Sequence, residues 1–182
     1  YLVDGFSTAK FWDQVRQGMC VTTSGLIGVM AAFLAKSERR PDDRDNPLRC
    51  LTMFPVNEDT VAFAHRFGFE YLTGFNMTEV SAPLVTDLNT RVYGSCGRPR
   101  TGIQARLVDD HDIELPPGEI GEVFMMPPGG RGSTYRYIGA DARATSDGWE
   151  TLGDLGYLDG DGFLYLVDRR TDLIVTGGAN VY

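Results

Sequence analysis

Basic side chains, histidines and cysteines are all scarce in this chain of 182 residues, and no long apolar run is present. Lys and Arg number 17 against 25 Asp and Glu, for a net charge of −8. That balance excludes a nucleic-acid-binding surface, whose backbone affinity needs clustered Lys and Arg, but a few local groups can still hold an anionic small ligand. Cys20, Cys50 and Cys96 are odd in number and too far apart for a metal knuckle, which fits a reduced, cytoplasmic setting. His65 and His111 are the only histidines. Neither stands in a metal-ligand spacing or near a serine elbow, so structural or solvent-exposed roles are the default. No stretch reaches membrane-spanning length, and none resembles a signal peptide. An initiator Met is also missing: the chain runs from Tyr1 to Tyr182, and both ends read as cut from something longer.

What is present describes a globular protein. Hydrophobic content of 42% and charged content of 23% exclude disorder, and the length suffices for one domain with a real core or two small subdomains. Phe11, Trp12 and Val15 predict an amphipathic helix over 6–17, capped by Ser7 or Thr8. A short strand is expected at 21–23, a buried helix over 25–35, a charged loop over 37–46 and a strand over 48–54. Asn57 is read as the cap of a helix over 58–67 that stops at Gly68, followed by a third strand over 69–75. Alternating strands and helices imply a parallel sheet, so residues 1–90 read as an α/β subdomain. Beyond about residue 90 the pattern changes to short strands between Pro- and Gly-containing turns, at 106–109, at 121–126 and in a hairpin. Residues 91–168 therefore read as a small antiparallel, β-barrel-like subdomain. The Gly-rich stretch Pro127–Ser133 lacks the Lys-Ser/Thr ending of a phosphate-binding loop and reads as a connection.

Two places carry groups capable of chemistry. The hairpin flanks Asp159-Gly160-Asp161-Gly162 with aromatic and β-branched runs. Pivoted between Gly160 and Asp161, it sets Asp154 opposite Val167 and diagonal to Arg169, roughly 7–8 Å apart at the backbone. Such a carboxylate can accept hydrogen bonds from a ribose diol while the guanidinium donates beside it, and a cross-strand salt bridge fits equally. The second place is the end of the third strand, Gly74-Phe75-Asn76-Met77-Thr78-Glu79. It joins a stacking face, a hydroxyl donor and a hard oxygen ligand suited to Mg²⁺ where ligands collect in parallel α/β sheets, although an ordinary helix start reads the same way.

Five stretches occur in order: Phe75–Glu79, Gly94–Pro99, Pro117–Glu122, Gly148-Trp149 with Gly153–Tyr157, and Asp168–Asp172. With their spacing, the chain resembles the adenylate-forming enzymes over nearly its whole length, within the acyl-CoA synthetase or AMP-dependent ligase branch. Leu48–Phe54 and the Phe11-Trp12 pair are similar to carnitine or crotonobetaine-CoA ligases and to relatives of bile-acid-CoA ligases.

The resemblance implies an AMP-forming acid–thiol ligase acting on ATP, Mg²⁺, CoA and a small carboxylic acid, with room for a homodimer. It assigns Phe75, with Gly74 and Asn76 beside it, to the adenine; Thr78 to phosphate; Glu79 to Mg²⁺; and Asp154 and Arg169 to the ribose. Thr78 and Glu79 are its catalytic candidates. Thr171 falls at the hinge of a mobile C-terminal domain that residues 169–182 would begin, and Gly177 and Gly178 fall beside the CoA tunnel. Gly25, Ile27, Met30, Met77 and Val80 are the acyl-pocket candidates, although core packing explains Ile27 and Met30 as well. Leu152 replaces a Thr usual in the family, and Met53 and Phe54 stand where small residues flank the adenine. The family's phosphate loop lies upstream of this stretch and its catalytic Lys downstream, so the fragment alone is expected to be inactive. Two rival functions share these motifs: an adenylation domain that loads a carrier protein, and a catalytically inactive nucleotide-binding scaffold.

Overall fold

Asn57 opens the best-defined helix of the chain, because its side chain accepts from the Thr60 amide at 2.9 Å while the Thr60 hydroxyl accepts from the Asn57 amide at 2.8 Å. This reciprocal cap satisfies two of the four orphan donors of α3 (Glu58–Phe67), and Gly68 in the left-handed region closes its other end. The protein is described here from a computed structural model. It describes every residue except 24, 78, 131–134, 140–142, 170–173, 177–178 and 182, and the backbone alone at 27, 152, 168–169, 174–176 and 179–181.

The chain forms two compact units: Tyr1–Thr73 with Asp87–Gly94, and Gly74–Thr86 with Ser95–Tyr182. In the first, β1 (Leu26–Ile27), β2 (Cys50–Phe54) and β3 (Glu70–Leu72) form a parallel sheet in the order β1-β2-β3. The remaining helices of this unit are α1 (Phe11–Gln17) and α2 (Gly28–Ala35). Its core is aromatic: Trp12 stacks on Phe67 at 4.0 Å, and Phe63 meets Phe67 and Phe69 at 5.1 and 5.4 Å. Arg66, in the last turn of α3, binds the loop over 37–46. It donates to the carbonyls of Ala35, Ser37 and Glu38 and pairs with Asp43 at 2.6 Å.

The second unit is β-rich. A four-stranded antiparallel sheet runs β10-β9-β8-β7, formed by β7 (Gln104–Val108), β8 (Gly121–Met126), β9 (Glu150–Leu158) and β10 (Leu164–Arg169). A three-stranded antiparallel sheet holds β4 (Gly74–Met77), β5 (Ser81–Val85) and β6 (Arg98–Pro99), and β11 (Ile174–Thr176) pairs with β12 (Ala179–Val181). Five of the six β8 residues are buried, so this strand is covered on both faces, as its unbroken Val123-Phe124-Met125 run requires. Phe75, Leu84, Leu107, Val123, Met125 and Leu164 make the second core.

Parallel α/β followed by antiparallel β is the architecture expected, with several local corrections. The first helix begins at Phe11 rather than residue 6, capped by Lys10 without a side-chain bond. The strand expected at 21–23 lies instead at Leu26–Ile27, which shortens α2 at its start; Val29 and Phe33 on that helix are exposed. The run over 69–75 is not one strand. It divides at Thr73 into β3, parallel in the first unit, and β4, antiparallel in the second.

Candidate functional site

The division at Thr73 moves Glu79 out of its expected setting. Met77 pairs with Ser81, so Glu79 and Val80 lie in the turn of a β-hairpin, not at a helix start at the carboxyl end of a parallel strand. Of β4, Phe75 points into the second core and is 7% exposed, whereas Asn76 is exposed. Phe75 is therefore a wall of its surroundings rather than an open platform. Glu79 accepts a hydrogen bond on Oε1 from the Tyr137 hydroxyl at 3.0 Å. Burial first, then the Glu79 carboxylate, push the Tyr137 phenol up to about 12, so it remains a donor at neutral pH.

Asp154 owes its placement to an irregularity in β9. Glu122 pairs with Leu155 and Phe124 with Thr151, so Leu152-Gly153-Asp154 bulge opposite the single residue Val123. Gly153 takes φ +79°, where a side chain would be strained, and its amide donates to the Thr151 hydroxyl at 3.1 Å. Thr151 in turn donates to Glu122 at 2.8 Å. Glu122, 2% exposed, is also met by Arg143, whose other nitrogen pairs with Asp112 at 3.0 Å. The bulge thus rests on a partly buried, charge-assisted network.

The hairpin register also differs from expectation. A three-residue loop, with Gly162 at φ +79°, replaces the two-residue turn, and Asp159 caps it by accepting from the amides of Asp161 and Phe163. Leu166 then faces Gly156 and Asp168 faces Leu155, leaving Val167 as a bulge. Arg169 consequently stands directly opposite Asp154 rather than diagonal to it.

Phe75, Val80, Val123, Met125, Glu150 and Asp154 line one small cavity of about 10 Å³. It admits a single water-sized group, so it is the floor between Phe75 and Asp154 and too small to seat a nucleotide. Glu150, missed in the sequence, is 4% exposed, and its Oε1 has no hydrogen-bond partner among the described residues. Its position between Trp149 and Thr151 on an alternating strand offered only a weak signal of burial. Tyr137 and the Glu122–Arg143 pair were also missed, because contacts across 58 and 21 residues leave no local pattern.

The structure therefore brings Phe75, Val80 and Asp154 around one cavity, with Gly74 and Asn76 on the same strand as Phe75. Met77 packs against the second core. Gly25, Ile27 and Met30 belong to the first unit, so the acyl-pocket candidates divide between the two. Thr78, Thr171, Gly177 and Gly178 lie outside the described residues, and Arg169 is placed by its backbone register alone. All three cysteines are free, and burial pushes the Cys96 thiol up to about 11, which makes it a poor nucleophile. Among the described residues no three His, Cys, Asp or Glu side chains come together as a metal cage. Glu79 still fits Mg²⁺, which is commonly held by one carboxylate with substrate phosphates and water completing its shell.

The fold matches that of adenylate-forming enzymes, and the chain belongs to the AMP-binding enzyme family, whose match covers residues 1–132. Among curated relatives, crotonobetaine/carnitine–CoA ligase of Salmonella paratyphi B is 37% identical over 99% of this chain, and that of Shigella sonnei is 36% identical over 99%. The chain spans 36% of the length of each. O-succinylbenzoate coenzyme A synthetase from Bacillus subtilis, unliganded, superposes with a TM-score of 0.74 at 27% identity, over all of this chain and 40% of that one. Its complex with ATP and magnesium ion gives a TM-score of 0.73 at 27% identity, over 97% of this chain and 37% of that one.

Proposed function

We propose that this chain carries the ribose- and metal-holding part of an ATP-dependent acyl-CoA ligase, which activates a carboxylic acid as its acyl-adenylate and passes the acyl group to CoA. The observation that carries the reading is the bulge that presents Asp154 beside Phe75, with Arg169 opposite it in register. The relatives are named as CoA ligases, and one structural neighbour binds ATP with magnesium, which supports the same reading. ATP, Mg²⁺, CoA and a small carboxylic acid are the proposed ligands.

The first half-reaction joins two anions, the carboxylate and the α-phosphate, and expels pyrophosphate. Bound Mg²⁺ would supply charge neutralisation at the phosphates. Glu79 would hold that ion, Thr78 would donate to phosphate oxygen, and Asp154 and Arg169 would fix the ribose. Phe75 would wall the base between Gly74 and Asn76. Thr171 is proposed as the hinge, Gly177 and Gly178 as neighbours of the CoA tunnel, and Gly25, Ile27, Met30, Met77 and Val80 as acyl contacts. The α/β and β-rich units would serve as the two platforms, with 169–182 leading into the mobile domain.

The test is acid-dependent pyrophosphate release by the full-length protein. Glu79→Ala should lower it by about 100-fold or more, the loss typical of removing one transition-state electrostatic contact, and Asp154→Ala should lower it strongly through lost hold on the nucleotide. Near-normal rates in both variants would refute the assignment.

A further inference from the structure

Glu79 stands on a hairpin turn, a poor support for a ligand whose orientation has to be fixed. Its one described hydrogen-bond partner is Tyr137, 58 residues later in the chain, at 3.0 Å. Tyr137 is itself braced. Its ring meets that of Tyr135 edge-on at 5.1 Å. Further along, Arg143 is tied to Glu122 and Asp112, the Thr151 amide donates to the Arg143 carbonyl at 3.1 Å, and the Thr145 amide donates to the Trp149 carbonyl at 2.8 Å. The stretch from Arg143 to Trp149 is thus anchored to β8 and β9, the strands whose bulge presents Asp154.

We propose that Tyr137 is a positioning residue for Glu79: its phenol occupies Oε1 and leaves Oε2 as a single, fixed oxygen for a divalent ion. This rests on the reading of Glu79 as the metal-holding carboxylate. A carboxylate with both oxygens loose can rotate or chelate through both. One whose first oxygen is already engaged offers the one-oxygen contact that suits the tight octahedral shell of Mg²⁺. Partners of this kind, one step removed from the ion, typically change metal affinity by about 10–100-fold. The phenol serves this purpose better than a charged donor, because it orients the carboxylate without cancelling the negative charge that attracts the cation.

The experiment uses the full-length protein with Mn·ATP as a paramagnetic probe, following binding by water-proton relaxation without the acid, and AMP binding by calorimetry as the metal-free reference. Tyr137→Phe keeps the ring contact with Tyr135 and removes only the donor. It should weaken Mn·ATP binding about tenfold, leave AMP affinity unchanged, and add nothing in a Glu79→Gln background. Wild-type Mn·ATP affinity in Tyr137→Phe, with Glu79→Gln clearly weakened, would overturn the positioning role while leaving the metal assignment intact. Equal losses for AMP and Mn·ATP would show a merely structural residue and overturn it as well. No effect of Glu79→Gln would remove the metal reading itself, and this inference with it.

Discussion

Glu150 and Gly153 are the two residues at which local rules are broken beside the candidate site. A buried carboxylate with an unpartnered oxygen is destabilising, because desolvation is not repaid by a hydrogen bond. Glu150→Leu should therefore raise the melting temperature, corresponding to about 1–3 kcal/mol, as measured by thermal unfolding with circular dichroism. If Glu150 also serves ligand binding, the same variant will lose nucleotide affinity while gaining stability. Gly153 behaves oppositely. Space is free around an added Cβ, but φ +79° penalises any side chain, so Gly153→Ala should cost about 1–2 kcal/mol. Because the bulge presents Asp154, that variant should also weaken AMP binding in calorimetry. The sequence showed Asp154 through the Gly-Asp pair. It did not show that Gly153 and Thr151 set the direction, since a bulge is defined by the partner strand.

At the level of elements, α3 is where sequence and structure agree most closely, because every signal there is local: Asn57 at the start, Thr60 three residues on, Gly68 at the end. Asn57→Ala should lower stability by about 1 kcal/mol, measured by urea denaturation. What local signals could not reveal is that the end of this helix also anchors the loop over 37–46. Arg66 supplies that anchor, and its hydrogen bond first, then the Arg40 amide and the Arg66 charge, hold the Asp43 carboxyl below its ordinary value of 3.8 against its partial burial. A depressed folded-state value means the stabilisation is complete above the unfolded value and fades as pH falls through the folded one. Acid unfolding below about pH 4 should therefore be less steep in Asp43→Asn than in the parent chain, measured by tryptophan fluorescence against pH. Residues 69–75 read as one strand, and only long-range pairing decides that its two halves join different sheets.

Across the whole molecule, two separate cores were legible as a change in pattern near residue 90, from helical periods to short strands. The true division is not a single cut, because Gly74–Thr86 belongs to the second unit and Asp87–Gly94 returns to the first. Chain crossings of this kind leave no compositional trace. Each unit carries one tryptophan, Trp12 in the first and Trp149 in the second, which gives each its own reporter. Phe63 is 1% exposed at the centre of the first core, 6.2 Å from Trp12. Phe63→Ala should destabilise that unit by about 3–5 kcal/mol, seen as an earlier urea transition of Trp12 fluorescence in a Trp149→Phe background.

The skipped residue Val167 decides more than the shape of a strand end. Were β10 to continue past Leu166 without it, Val167 would face Leu155 and Asp168 would face Asp154, pairing two acidic residues in register at the open end of the hairpin. Skipping one position puts Arg169 in that place instead. The register is thus set by counting along the backbone: a parity choice in the ladder, made at an exposed valine, determines whether the residue paired with Asp154 is acidic or basic.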